Sequence, residues 1–213
     1  MLTKLDLKQE AKHLYKPSAK QPEIVDVPPM NFLLIDGVGD PNKSQAFLDA
    51  VQALNSASFT LKFSIKKQRD TDYTVMPTEG LWWTERLEDF RIDQPDNWIW
   101  TIMIRQPDFI NAEDVSAAIA QVKAKKKLPA LDLIRFDTYH EGRSAQIMHI
   151  GPYGVAEIPT VERLDRFIGE QGEKMTGKHH EIYISDPNRA APEKLKTIIR
   201  HPIDTRHTWD GTP

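Results

Sequence analysis

MNFLLIDGVGDPNKSQAFLDAVQAL, from Met30 to Leu54, has a counterpart in SAQIMHIGPYGVAEIPTVERLDRFI, from Ser144 to Ile168. Each stretch opens as a short apolar strand that closes at a glycine, Gly37 or Gly151, and each then passes a Gly/Pro/Asp turn. An amphipathic helix follows in both. Its apolar stripe is Phe47, Val51 and Leu54 in the first, and Val161, Leu164, Phe167 and Ile168 in the second. Two units of one pattern in one chain predict an internal duplication.

Working outward, a strand precedes each unit, at Glu23–Val27 and Leu133–His140. The Glu141–Gly142 dipeptide predicts a hairpin turn between Tyr139 and Ser144. Two strands follow each helix. They are Tyr73–Met76 continuing into Gly80–Thr84, and Trp98–Arg105, in the first half; Glu181–Ser185 and Leu195–Arg200 form the pair in the second. Ser58–Lys67 fits a strand by alternation, but the spacing of Phe59, Phe63 and Lys66–Lys67 favours a helix extending the first one. Asn111–Lys127 predicts a linking helix, with Asn111 as cap, Glu113 and Asp114 in the first turn and lysines in the last, a polarity matched to the helix dipole. The expectation is one pseudo-symmetric α+β domain over residues 20–203, with halves of about 20–107 and 130–203. Residues 1–19 are then an N-terminal extension, and 204–213 a flexible tail with a solvated His207.

Composition narrows the function. The 213 residues carry a net charge of −3, which marks no nucleic-acid partner. No apolar run suits a bilayer or a secretory signal, so no membrane partner and a cytoplasmic location are expected. Without cysteine there is no thiolate metal site, and no HExxH, P-loop, GxGxxG or GxSxG pattern occurs. No metal or cofactor is expected.

The chemistry concentrates in HHEIYISDP. Glu181 and Tyr183 alternate with Ile182 and Ile184, so a strand puts the carboxylate and phenol together on the face away from the aliphatics. His179 and His180 oppose each other there and cannot share a metal, while His149 suits a satisfied inner-face position. Trp82, Trp83, Trp98 and Trp100 fall on two neighbouring first-half strands, with Trp98 and Trp100 on one face. A groove between the halves therefore brings indole walls and Glu181 together. Glu79, Tyr139, Met148 and Tyr153 are further candidates for its lining. Such a site suits a planar, lipophilic, often cationic ligand.

The pieces EIVDVPPMNFLLIDGVGDPN, VMPTEGLWWT, EGRSAQIMHIGPYG and HHEIYISDPNRAAPEKLKTIIRHPI resemble the GyrI-like small-molecule-binding family. More narrowly they resemble its stand-alone bacterial members described as cyclopropanoid cyclopropyl hydrolases. The likeness spans roughly residues 20 to 203. It implies tandem strand-helix-strand-strand units, an antiparallel sheet with helices on one face, and a central cleft with an acid at its base. Glu181 matches that acid, Tyr183 stands beside it, and Trp82 and Trp83 match the aromatic wall. The wider family includes effector domains of multidrug-responsive transcription activators and a gyrase-inhibitory protein. No helix-turn-helix segment flanks the domain, which speaks against a DNA-binding activator. Three functions stay open. Glu181 and Tyr183 catalyse water attack on a strained electrophile, or the same cleft holds lipophilic cations unchanged, or the chain docks a protein partner.

Overall fold

Antiparallel pairing between non-adjacent segments builds this molecule, described here for residues 2–205 of a computed structural model. β1 (Thr3–Leu5), α1 (Leu7–Glu10) and α2 (Lys12–Tyr15) precede β2 (Glu23–Val27). The first unit runs β3 (Met30–Val38), α3 (Gln45–Arg69), β4 (Thr71–Tyr73), β5 (Thr78–Trp83) and β6 (Ile99–Arg105). α4 (Ala112–Lys123) and β7 (Arg135–Tyr139) lead to the second unit: β8 (Gly142–Ile150), α5 (Ile158–Glu170), β9 (Glu173–Met175), β10 (His179–Tyr183) and β11 (Lys196–Thr205). The α+β fold and its duplication are as expected.

The strand order is β2-β8-β11-β10-β5-β6-β3-β7, with β9 beside β11. The halves meet at the centre, where β10 pairs β5 with Glu181 opposite Gly80. The outer strands are exchanged: β2 pairs β8 of the second unit, and β7 pairs β3 of the first. The expected hairpin at Glu141–Gly142 is therefore absent, although Gly142 does take a positive φ of 74°. Only His140 and Glu141 join β7 to β8, and only Pro28 and Pro29 join β2 to β3. Links that short span about 10 Å, so the two ends of the sheet must come together and the sheet curls into a half-barrel. Local turn chemistry at Glu141–Gly142 yields here to the long-range pairing of β7 with β3.

Ser44 caps α3 by accepting the Phe47 N–H, and the helix runs 25 residues, which settles Ser58–Lys67 as helix. Asn111 and Asp114 form a reciprocal capping box on α4, which ends at Lys123 rather than Lys127. The strand expected from Tyr73 into Gly80 is split. β4 pairs in parallel with β1, and Pro77, which has no N–H to donate, separates it from β5. β11 runs on to Thr205, so the first residues of the expected tail are strand; the remainder, His207 included, lies outside the described residues.

α3 and α5 cover the same face of the sheet. Phe47 of α3 contacts Trp82 and Trp100, while Leu164 and Ile168 of α5 pack on Ala145, Ile147 and Ile199. The gap between the two helices lies over β10 and β5. The other face is covered by the N-terminal segment. Leu14 and Tyr15 are buried, Arg200 donates to the Leu14 carbonyl at 2.6 Å, and Gln146 donates to the His13 carbonyl at 2.6 Å. Residues expected as an extension are thus bound into the domain. No helix among the described residues is long and apolar enough to cross a membrane.

Candidate functional site

Glu181 sits in the middle of β10, and its cross-strand neighbours on the same face are Gly80 and Ile199. Gly80 is what lets an indole approach. A Cβ there would stand 2.7 Å from Trp82 Nε1, so the Trp82 ring lies across the space where a side chain would be. Gly37 accommodates Trp100 in the same way, with only 2.1 Å to its ring. Trp82 also meets Trp98, their ring centres 5.1 Å apart. A cleft of about 750 Å³ opens over these groups between α3 and the Tyr153–Gly154 turn ahead of α5. Phe47, Val51 and Phe59 of α3 form one wall; Trp82 and Trp98 form the second; Tyr153, Tyr183 and Glu181 line the rest.

Both oxygens of Glu181 are engaged. Tyr183 donates to Oε2 at 2.6 Å, and His179 Nε2 lies 3.0 Å from Oε1. Burial alone would raise this carboxyl, but the bonds from His179 and Tyr183 outweigh it and hold Glu181 below the usual carboxylate range. Burial and the adjacent carboxylate push the Tyr183 phenol far up, so it is a proton donor at any ordinary pH. Tyr153 stacks edge-on against Tyr183 at 5.3 Å.

Glu157 completes the site, and nothing in its sequence context singled it out. It occupies the capping position of α5 yet makes no capping bond with its side chain. The carboxyl is instead fully buried and turned toward Glu181 and Thr197. Its Oε2 accepts the Gly154 N–H at 2.8 Å, whereas Oε1 and the Thr197 hydroxyl lack any ordinary hydrogen-bond partner. Burial first, and the Glu181 charge second, raise Glu157 far above the carboxylate range. Two carboxyls this close and this dry cannot both ionise, so one proton resides on the pair, and it belongs to Glu157. The Trp82 indole N–H, also without an ordinary acceptor, lies beside the Tyr183 hydroxyl.

Of the residues expected to line the cleft, Glu181, Tyr183, Trp82, Trp98 and Tyr153 are brought together. Five others are not. Trp100 is sealed beneath Phe47 and against Gly37, so it supports the wall without reaching the cleft. Trp83 points to the opposite face from Trp82, and the Lys178 ammonium already sits 3.4 Å from its ring centre. Glu79, Tyr139 and Met148 all lie on the far face of the sheet. Tyr139 packs edge-on against Phe32 there, and Met148 is tied through its backbone N–H to Ser18. Glu79 bonds Tyr15 at 3.1 Å and His180 at 3.0 Å. His149 is satisfied by Thr160 and the Pro152 carbonyl. Among the described residues no group of three or more His, Asp or Glu is arranged to hold a metal ion.

An aromatic cleft with a proton-sharing acid pair at its floor defines a small-molecule-binding domain. The chain belongs to the GyrI-like family, whose small molecule binding domain matches residues 20–204. An uncharacterized conserved protein from Listeria innocua is 38% identical over 94% of this chain and 100% of its own, with a TM-score of 0.85. A hydrolase from Listeria innocua is 36% identical over 94% of this chain and 100% of its own, with a TM-score of 0.81. The C-terminal domain of EcmrR, 12% identical, shares the fold, with a TM-score of 0.54 over 87% of this chain and 98% of that one. No curated protein matches the chain.

Proposed function

We propose that the cleft binds planar lipophilic molecules and hydrolyses those carrying a strained, conjugated cyclopropane. The observation that carries this reading is the placement of two buried carboxyls beneath aromatic walls, Glu181 held by Tyr183 and His179 and Glu157 turned toward it. Burial and the neighbouring charge favour a base on one and an acid on the other. Glu181 takes a proton from a water as its oxygen bonds to a ring carbon. The strained C–C bond breaks and its electron pair moves into the conjugated carbonyl, making a phenolate. Glu157 gives its proton to that oxygen, and before the next turnover Glu181 loses one proton and Glu157 regains one, so the net change is addition of one water. Tyr183, already donating to Glu181, positions the base and does not act as a separate acid. The hydrolase from Listeria innocua, which this chain covers in full, supports the reaction class.

The excess of acid in the site favours a second reading, in which the same cleft holds a lipophilic cation without altering it. Two carboxyls face one imidazole there, and a ligand cation would both pair with the Glu181 carboxylate and favour release of the Glu157 proton, balancing the second charge as it forms. Incubation with a cyclopropanoid genotoxin, followed by mass spectrometry, separates the two. Hydrolysis predicts a product heavier by one water, formed by the wild type and lost in Glu181→Gln. Recovery of unchanged compound from a wild type that binds it leaves only the second reading.

A further inference from the structure

Behind Glu181 runs a chain of hydrogen bonds that ligand binding alone does not require. His179 Nε2 meets Glu181 Oε1 at 3.0 Å, His179 Nδ1 meets His201 Nε2 at 2.9 Å, and His201 Nδ1 meets Asp165 Oδ1 at 3.0 Å. The four groups come from β10, β11 and α5. Both imidazoles are buried, whereas the Asp165 side chain is 54% exposed, so the chain leads from a dry end to a wet one. It borders a second cavity of about 470 Å³, lined by His179, His201, Asp165, Phe90 and Trp83, which shares Trp82 with the cleft. We propose that Asp165, His201 and His179 form a proton conduit between Glu181 and this second cavity, through which the carboxyl pair exchanges protons with solvent while a ligand fills the cleft.

The tautomers fit. The Asp165 carboxylate accepts only, so His201 carries a proton on Nδ1 and offers the lone pair of Nε2 to His179 Nδ1–H. His179 Nε2 and Glu181 Oε1 then hold one proton between them. When Glu181 takes a further proton, the shared one moves wholly to His179 Nε2, Nδ1–H passes one to His201 Nε2, and His201 Nδ1–H passes one to Asp165 and so to water. No heavy-atom bond changes, and passage in the reverse direction restores both rings. Burial, only partly offset by Asp165, keeps His201 below its ordinary value and therefore neutral, as a carrier must be. Glu88, Arg91, Asp93 and Glu162 also border the second cavity, and Glu141 acts on His201 from the other face of the sheet.

The kinetic arm of the test rests on the hydrolytic reading; the spectroscopic arm does not. With a cyclopropanoid substrate, His201→Ala should lower kcat by about tenfold to a hundredfold, KM unchanged, a loss at or below the low end of acid–base effects. Imidazole should restore turnover, and 1-methylimidazole, which fills the same hole but cannot pass a proton across, should not. An unaltered kcat, or equal restoration by both compounds, overturns the conduit. Nitrogen NMR of the histidine rings in the wild type and Glu181→Gln serves if His201→Ala does not fold. His201 should be protonated at Nδ1 and bare at Nε2, with signals that shift on Glu181→Gln. The opposite tautomer, or signals indifferent to Glu181, overturns it. Absence of wild-type turnover defeats the hydrolytic reading alone and leaves the conduit to be decided by the NMR.

Discussion

The two faces of β10 carry similar groups and use them in opposite ways. On the face under the N-terminal segment, His180 bonds Glu79 at 3.0 Å and Glu141 at 3.0 Å, and Arg200 bonds Glu141 at 3.2 Å. Two acids meet two bases, with Tyr15 closing the remaining position on Glu79. On the cleft face, among the described residues, His179 is the one basic side chain bonded to Glu181 or Glu157, and a carboxyl oxygen, a hydroxyl and an indole N–H are left without ordinary partners. The first cluster is complete and holds the sheet to its covering. The second keeps one acid neutral and leaves several polar atoms open, a pattern of binding sites rather than of closed cores.

Substitutions should therefore separate stability from activity according to face. The largest effect on stability is expected for Arg200→Met. It removes one of the two cationic partners of Glu141 and leaves the Leu14 carbonyl and the Gln146 side-chain oxygen without the Arg200 donor, and denaturant unfolding should show a loss of about 3–5 kcal/mol. The largest effect on chemistry is expected for Glu181→Gln, which should reduce turnover by roughly 10²- to 10⁴-fold, the range of acid–base catalysis. Its folding stability should hold or rise, because Glu157 no longer has to keep its proton beside a charge. Equal losses of stability from the two substitutions would erase the contrast.

Gly80→Ala comes next. Its methyl would stand 2.7 Å from Trp82 Nε1 and displace the indole, at about 1–3 kcal/mol of stability, the usual cost of overpacking. Ligand binding, followed by tryptophan fluorescence, should weaken with it. Tyr139→Phe, on the closed face, should leave ligand affinity within roughly twofold, since distant and independent sites do not couple.

The two faces also differ in their response to pH. Burial would lower His180, but Glu141 and Glu79 outweigh it and raise it to about 9 from an ordinary 6.5. Its stabilisation is complete below pH 6.5 and is lost as pH climbs toward 9. Burial would raise Glu141, but His180 and Arg200 hold it at about 2, so its contribution is complete above 4.5 and lost as pH falls toward 2. Glu157 is shifted the other way. The fold favours its neutral form, so its contribution is lost as pH rises above 4.5. Unfolding free energy should accordingly decline as pH rises from 4.5 toward 9. Glu157→Gln should remove one part of that decline and His180→Gln another, each measurable by denaturant titration across pH.

The duplication and the central cleft were legible because they rest on periodicity. Repeated strand-turn-helix segments announce a repeated unit, and alternation in HHEIY puts His179, Glu181 and Tyr183 on one face. The same parity assigns Glu79 and Trp83 to the face opposite Trp82, a deduction that PTEGLWW allowed. What periodicity cannot encode is which distant strand a segment pairs with. That is why the β2 and β7 exchange was hidden, and Tyr139 and Met148 with it. Glu157 was hidden for another reason. An acid at the head of a helix reads as a match to the helix dipole, and only the three-dimensional structure turns it away from the helix toward Glu181.

Infrared difference spectroscopy at neutral pH tests the central assignment most directly, by comparing the wild type with Glu157→Gln and Glu181→Gln. The account predicts a protonated-carboxyl carbonyl band in the wild type that disappears in Glu157→Gln. A wild type without that band, or one whose band survives Glu157→Gln and vanishes only in Glu181→Gln, would contradict it.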